Sequence, residues 1–301
     1  MKRALVIAVV VGSALVLNTL WVNSRTRAAV AREGGEVMST KVVPANVRVQ
    51  GSGPAIVLIH GFGAAIDWWD QIAPQLATNH RVISIDLIGH GGTEAPASGY
   101  SIPRQAALVA AVLDSLGVER VTVIGHSMGG EVATALAEQN PARIERMILI
   151  DSPPVPDTTF TPLTQLYLDP TVGPLLSRME TDEALRRGLA QGFAPGFAVP
   201  DAFVADLKQL TYTAFRSAHD ESIVYRKARA PYERIAALQP VPPLLAIFGA
   251  EDAIVPPATA RLFEHVPGAR VEMIAGAGHS PMVEAPEKTL ALIRGFLSAG
   301  R

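Results

Sequence analysis

Ser127 stands at the centre of a glycine-flanked motif, GHSMG, at residues 125–129. The preceding residues 121–124 are apolar or β-branched and predict a buried strand, whereas residues 130–139 have the apolar spacing of a helix. A serine at so sharp a strand-to-helix turn has an exposed hydroxyl beside the free N–H groups that begin the helix. The pattern therefore predicts a nucleophilic serine. The alternative is an ordinary loop whose serine caps the helix.

A nucleophilic serine needs a base, and His279 is the predicted base among the seven histidines of the chain. It lies in the GHSP sequence 278–281, directly after a predicted strand at residues 270–275. Loops at the carboxyl ends of parallel strands meet at one edge of a sheet, so His279 and Ser127 are expected on the same edge. His126 adjoins the serine, but neighbouring side chains at a strand end point apart, so it is not the expected base.

The base in turn needs an acid that orients it, and Asp252 is the predicted acid. It follows a predicted strand at residues 244–249, which brings it to the same edge of the sheet. Asp151 ends another predicted strand at that edge and is the main alternative, and Glu251 is a less favoured neighbour. The chain order of serine, aspartate and histidine is one of the orders in which such triads occur.

The negative charge that develops on a substrate carbonyl oxygen needs fixed hydrogen-bond donors. The N–H of Met128, directly after the serine, is one predicted donor of this oxyanion hole. The second is the N–H of Phe62, in the HGFG sequence 60–63 that follows a predicted strand at residues 55–59. Glycines on both sides of Phe62 let the backbone approach a substrate closely.

Strand and helix patterns alternate along most of the chain. This alternation predicts an α/β fold, a mostly parallel sheet with helices on both faces. The predicted helices are residues 67–78, 101–116, 130–139, 257–266 and 286–298, and further strands are predicted at residues 81–86 and 146–151. Residues 36–151 and 236–301 are the predicted core of the fold.

Residues 152–235 interrupt this alternation. They open with Pro153, Pro154 and Pro156, where no helix starts, and continue with a helical pattern rich in aromatic residues and without a strand run. We therefore expect a helical cap inserted between two strands of the sheet. Most of its aromatic side chains are expected to pack the cap against the core, and a minority to line a pocket.

Residues 1–35 are interpreted as a signal-anchor segment. Lys2 and Arg3 precede an apolar run at residues 4–22, which is near the minimum length for a membrane span. A signal peptide cleaved after Ala31 is the main alternative, and a buried helix is a further one. We expect an uncleaved N-terminal apolar helix that anchors the protein in a membrane, with the catalytic domain outside the cytoplasm.

The composition excludes several classes of protein and site. The formal net charge is −2 over 301 residues, so nothing indicates a nucleic-acid-binding surface. The chain has no cysteine, which excludes disulfides, thiol catalysis and cysteine metal sites. No cofactor and no metal ion is expected, because the predicted site needs neither.

Five motifs, taken together and in this order, resemble the α/β-hydrolase superfamily. They are HGFG at 60–63, the Asp86…Gly89-His90-Gly91 loop, GHSMGG at 125–130, Gly249…Asp252…Val255-Pro256 and GHSP at 278–281. The resemblance covers about residues 45–298. Within the superfamily the chain is similar to serine carboxylesterases and monoacylglycerol lipases, which implies cleavage of a small-molecule carboxylic ester, with an apolar acyl group, through an acyl-enzyme. Other chemistry of the same triad stays open, namely C–C bond hydrolysis, cofactor-free haloperoxidase activity and acyl transfer. A non-catalytic binding role is less favoured.

Overall fold

The computed structural model describes residues 34–155, 162–177 and 179–299. The predicted apolar helix of residues 4–22 therefore lies outside the described residues. Across the three described ranges, we find no helix with the length and apolar character that a membrane span requires.

Within these ranges the chain forms an eight-stranded sheet. Its strands are β1 Glu36–Met38, β2 Ala45–Gln50, β3 Ala55–Ile59, β4 Arg81–Ile85, β5 Val121–His126, β6 Ile144–Ile150, β7 Leu244–Gly249 and β8 Arg270–Ile274. They lie in the order β1-β2-β4-β3-β5-β6-β7-β8. The β1–β2 and β2–β4 pairings are antiparallel and the other pairings are parallel. The prediction of a mostly parallel sheet is confirmed.

The helices of the described residues alternate with these strands, except between β6 and β7, where several follow one another. The α-helices are α1 Ala73–Leu76, α2 Ile102–Ser115, α3 Met128–Gln139, α4 Pro162–Leu168, α5 Gly173–Leu176, α6 Asp182–Ala190, α7 Asp201–Gln209, α8 Tyr212–Ala228, α9 Pro231–Ala236, α10 Pro281–Glu284 and α11 Pro286–Ser298. Short 3₁₀ helices are Ile66–Trp69, Pro141–Arg143 and Pro257–His265. The regular elements described between β6 and β7, α4 to α9, are all helical.

The sheet has a hydrophobic core on each of its two faces. In β3, Ile56 and Leu58 belong to the core that α1 and α11 cover, whereas Val57 and Ile59 belong to the core that α2 and α3 cover. Successive side chains of a strand point to opposite faces, so a strand buried on both sides is apolar throughout. Burying each such aliphatic side chain contributes roughly 1.5–3 kcal/mol. The predicted arrangement of helices on both faces is confirmed.

The prediction of one continuous helix over residues 67–78 is wrong. The segment is divided into the 3₁₀ helix Ile66–Trp69 and the short helix α1. Pro74 gives the physical reason, because proline lacks an N–H and its ring clashes with the carbonyl four residues earlier. The chain therefore begins a new helix with Pro74 in the first turn. The segment predicted as a helix at 257–266 is likewise a 3₁₀ helix.

Candidate active site

Ser127 lies at a sharp turn between β5 and α3. Its backbone has φ 51° and ψ −121°, a conformation that costs a non-glycine residue free energy, and its N–H donates to the Ile150 carbonyl at 2.9 Å. A Cβ on Gly125 would collide with the Gly129 carbonyl, and a Cβ on Gly129 would collide with the Ile59 carbonyl. The two glycines of the motif are therefore required by the close approach of strand and helix.

The structure brings the three predicted residues Ser127, His279 and Asp252 together. The Nε2 atom of His279 lies 2.9 Å from the Ser127 hydroxyl oxygen, and its Nδ1 atom lies 2.7 Å from Asp252 Oδ2. The other Asp252 oxygen accepts the N–H groups of Ile254 and Val255, at 2.7 and 2.9 Å. Burial alone would raise the pKa of the Asp252 carboxyl, but His279 and these N–H groups hold that pKa below its usual value. Asp252 is therefore ionised at neutral pH.

The loop that carries His279 is held by its neighbours in the core. The backbone carbonyl of His279 accepts the Nε2–H of His126 at 2.7 Å, and the backbone N–H of His279 donates to the Gly192 carbonyl at 2.9 Å. Burial lowers the pKa of His126 to about 3, so that ring is neutral and its single N–H is committed to this contact. His126 thus positions the His279 loop and has no contact of its own with the Ser127 hydroxyl in the described hydrogen bonds.

Among the described hydrogen bonds, His279 Nδ1 contacts Asp252 and neither of the two alternative acids. Glu251 is exposed, whereas Asp151 is fully buried behind Asp252 and accepts the Gly249 N–H at 2.9 Å. The ligating atoms of Asp151, Asp252 and His279 lie within 4.8 Å of one another, so this cluster has the spacing of a cation site. His279 Nδ1 and Asp252 Oδ2 lie at hydrogen-bond distance and are therefore already engaged with each other. We retain the expectation that no metal is needed.

The two predicted oxyanion donors border the same cavity as Ser127. Met128 is the first residue of α3, so its N–H has no acceptor within that helix. Phe62 lies in a turn closed by the Ala64 N–H on the Gly61 carbonyl at 3.3 Å, with Gly63 at φ 73°. A positive φ favours glycine, which explains the second glycine of the HGFG sequence.

A cavity of about 400 Å³ opens over Ser127 between the sheet edge and the helices that follow β6. Most of its wall is apolar, and the helical segment contributes Tyr167, Leu185, Leu189, Phe193, Leu207 and Phe215. The Phe215 ring lies 4.7 Å from the ring of Phe62, so this segment meets the HGFG turn directly. Phe197 stacks on Phe193 at 5.0 Å but is not part of the wall.

Helix α8 is bound to α3, the helix that begins directly after Ser127. Glu131 in the first turn of α3 accepts Arg226 Nη1 at 2.6 Å and the Ser222 hydroxyl at 3.0 Å, and all three side chains are buried. Further along α3, Glu138 accepts a hydrogen bond from the Tyr225 hydroxyl at 2.9 Å. Removing one partner of a buried ion pair is strongly destabilising, so the Glu131–Arg226 pair fixes α8 over the site.

Trp68 forms a second attachment. Its ring stacks on Phe203 of α7 at 4.1 Å, and its Nε1–H donates to the buried Asp206 carboxylate at 3.1 Å. Neither this contact nor the Glu131–Arg226 pair was predicted. Each joins residues about 90 positions or more apart, and the only sequence signal is a charged residue at a helix position that should otherwise be apolar.

Comparisons with known proteins agree with this architecture. The model of the Alpha/beta hydrolase family matches residues 56–292. A 2-hydroxymuconate semialdehyde hydrolase of Pseudomonas putida is 30% identical over 275 residues, which are 84% of this chain and 90% of that protein. Among solved structures, a membrane phospholipase A described as a bacterial virulence factor is 26% identical, with a TM-score of 0.72 and 99% of both chains covered. A meta-cleavage product hydrolase is 25% identical, with a TM-score of 0.70 and coverage of 88% of this chain and 98% of that chain.

Proposed function

This chain belongs to the α/β-hydrolase family, and we propose that it is a serine hydrolase that cleaves a carboxylic ester with an apolar acyl group. The observation that carries the proposal is the hydrogen-bonded series Ser127, His279 and Asp252, which opens into a mostly apolar cavity. A serine hydroxyl becomes a nucleophile when an oriented imidazole accepts its proton. An apolar wall favours an acyl chain in the site.

The proposed reaction proceeds in two halves. His279 Nε2 takes the Ser127 proton while the serine oxygen forms a bond to the ester carbonyl carbon, and Asp252 stabilises the imidazolium. The N–H groups of Phe62 and Met128 stabilise the oxyanion. The imidazolium then returns its proton to the alkoxide leaving group, and the acyl–alcohol bond breaks. In the second half, water adds to the acyl-enzyme by the same route and releases the acid and the free serine.

C–C bond hydrolysis is the second candidate. Two relatives are named as hydrolases of 2-hydroxymuconate semialdehyde and of a meta-cleavage product. The cavity wall also has a polar face, formed by His219, Ser222 and Arg226 of α8, which a polar substrate would contact. Ester cleavage is preferred because most of the wall is apolar and because a membrane phospholipase A matches over 99% of both chains.

Two substrates separate these candidates. We expect the protein to release nitrophenolate from p-nitrophenyl acyl esters and to lose this activity after treatment with a serine-directed phosphonate. A ring-cleavage product of the 2-hydroxymuconate semialdehyde type should be a poorer substrate by kcat/KM. A higher kcat/KM for that compound than for every ester would favour C–C hydrolysis. No turnover of either substrate, with no phosphonate adduct, would contradict the proposal.

The cavity wall predicts which aromatic residues set the acyl-chain preference. Phe193→Ala and Phe215→Ala should shift the chain length with the highest kcat/KM towards longer esters, because each change enlarges the cavity beside Ser127. One pocket methylene is worth about 10–200-fold in kcat/KM, so the shift is measurable in a series of nitrophenyl esters. Phe197→Ala is the matched control, since that ring is outside the wall. If all three variants kept the chain-length profile of the wild type, Phe193 and Phe215 would have a role in packing alone.

The N-terminal segment is proposed to remain in the mature protein as a membrane anchor, with the catalytic domain outside the cytoplasm. The apolar run of residues 4–22 would extend roughly 28 Å as a helix, close to the thickness of the hydrocarbon core. Full-length protein should therefore stay with membranes after carbonate extraction, and external protease should digest the catalytic domain in intact cells. A soluble species that starts at Arg32 on N-terminal sequencing would identify a cleaved signal instead.

A further inference from the structure

The buried carboxyl group of Asp151 has no role in the proposed reaction, and its environment is unusual. The side chain is fully buried at the end of β6, on a backbone with φ 44°. Its Oδ1 accepts the Gly249 N–H at 2.9 Å. If the carboxyl group were ionised, its Oδ2 would be an acceptor for which the described residues supply no donor. A buried oxygen without a donor is costly, so this group calls for a physical explanation.

The explanation lies in the neighbouring carboxylate. The ligating atoms of Asp151, Asp252 and His279 are within 4.8 Å of one another, and all three side chains are buried. Two carboxylates this close in a low dielectric do not both ionise, so one of them holds a proton. The Asp252 carboxylate has two N–H donors and the imidazole, whereas Asp151 has one N–H donor. The proton therefore resides on Asp151.

The charges around Asp151 act in the same direction. Burial raises the pKa of the Asp151 carboxyl well above its usual value, and the Asp252 charge raises it further. Glu284 contributes a smaller effect of the same sign. His279 is a further titratable member of the cluster, and its Nδ1 faces Asp252. With its proton in place, the Asp151 carboxyl can donate to the neighbouring Asp252 carboxylate, and a side-chain hydrogen bond between these two groups also raises the pKa of Asp151.

We propose that Asp151 is a positioning residue that stays protonated during turnover and donates its O–H to the Asp252 carboxylate. The inference rests on the proposed function, since Asp151 acts through Asp252 and does not touch the substrate. The hydrogen bond holds Asp252 in the one orientation that also accepts from His279. Ionisation of Asp151 at alkaline pH would replace that hydrogen bond with repulsion between two buried carboxylates, and Asp252 would lose one of the contacts that fix its orientation.

Two variants separate the O–H donor from the backbone conformation. Asp151→Asn keeps a donor at every pH, keeps an acceptor for the Gly249 N–H and tolerates a positive φ. Asp151→Gly also accommodates φ 44° but removes the whole side chain. At neutral pH, the Asn variant should retain kcat within about 3-fold, whereas the Gly variant should lose roughly 10- to 100-fold, the usual effect of a lost hydrogen bond to a charged group. The wild type should lose kcat/KM at alkaline pH, and the Asn variant should not.

A stability measurement tests the same proton without any use of activity. The folded-state pKa of Asp151 is raised, so its favourable contribution is complete below the unfolded pKa of about 3.9 and is lost as pH rises towards the folded pKa. Asn carries no such dependence. The free energy of unfolding of Asp151→Asn relative to wild type should therefore increase as the pH rises above about 4.

The outcomes distinguish this inference from the proposed function. A relative stability that does not change with pH would show that Asp151 is ionised and would overturn the inference, whatever the activity. An alkaline activity limb that persists unchanged in Asp151→Asn would also overturn it. If the protein failed to hydrolyse any ester, the proposed function would fall, and the pH-dependent stability difference would still report the proton on Asp151.

Discussion

Ser127→Ala is expected to lower kcat for ester hydrolysis by about 10⁴-fold or more, because it removes the atom that would form the acyl-enzyme. The substitution should leave the fold intact. Alanine keeps the Cβ atom, so the backbone at φ 51° is no more strained than in the wild type. Initial rates on a nitrophenyl ester give the activity, and near-UV circular dichroism reports the fold.

Ser127→Gly is the matched control for this prediction. It removes the same hydroxyl and also relieves the left-handed backbone strain, which costs a non-glycine residue about 1–2 kcal/mol. The Gly variant should therefore be as inactive as the Ala variant but more stable to urea by about 1 kcal/mol. Retention of most of the activity in either variant, or a phosphonate adduct mapped to another residue, would remove Ser127 from the role of nucleophile.

The parts of the site that the sequence predicts are those with a local physical cause. The glycines around Ser127 are required by one tight turn, and that requirement is visible within five consecutive residues. Asp252 and His279 follow apolar runs that form strands, and strand direction alone brings them to the edge that holds Ser127. The sequence offers three candidates for the orienting acid, and Asp252 is the one whose oxygen lies at 2.7 Å from His279 Nδ1.

The parts that the sequence does not predict depend on contacts between distant segments. Glu131 is a charged residue at an otherwise apolar helix position, but only the fold shows that Arg226 of α8 is its partner. The sequence around Trp68 indicates no more than an aromatic residue of the core, and only the fold shows that Asp206 accepts its Nε1–H. The protonation state of Asp151 depends on burial and on the Asp252 charge, and neither can be deduced from spacing. Each is a tertiary effect, and local propensity does not identify the partner.

The second large effect concerns Asp252, the acid that is proposed to orient His279. Asp252→Asn is expected to lower kcat by about 10⁴-fold, close to the loss for the serine, because the amide can donate to Nδ1 and so stabilises the wrong imidazole tautomer. In that tautomer Nε2 carries the proton and cannot accept the one from Ser127, 2.9 Å away. The rate of reaction with a serine-directed phosphonate should fall in parallel, since that reaction needs the same base.

Two neighbouring carboxyl groups give this prediction its controls. Glu251→Gln changes the adjacent residue, which is exposed, and should leave kcat unchanged. Asp151→Asn changes the second buried carboxyl of the cluster and should cost far less than Asp252→Asn, because His279 Nδ1 lies 2.7 Å from Asp252 and the Asp151 oxygen is bound to Gly249. The reverse ranking of these two aspartates would assign the orienting acid to the end of β6. Equal and large losses in both would mean that the two carboxyl groups act as one unit on His279, since residues that act together are not additive.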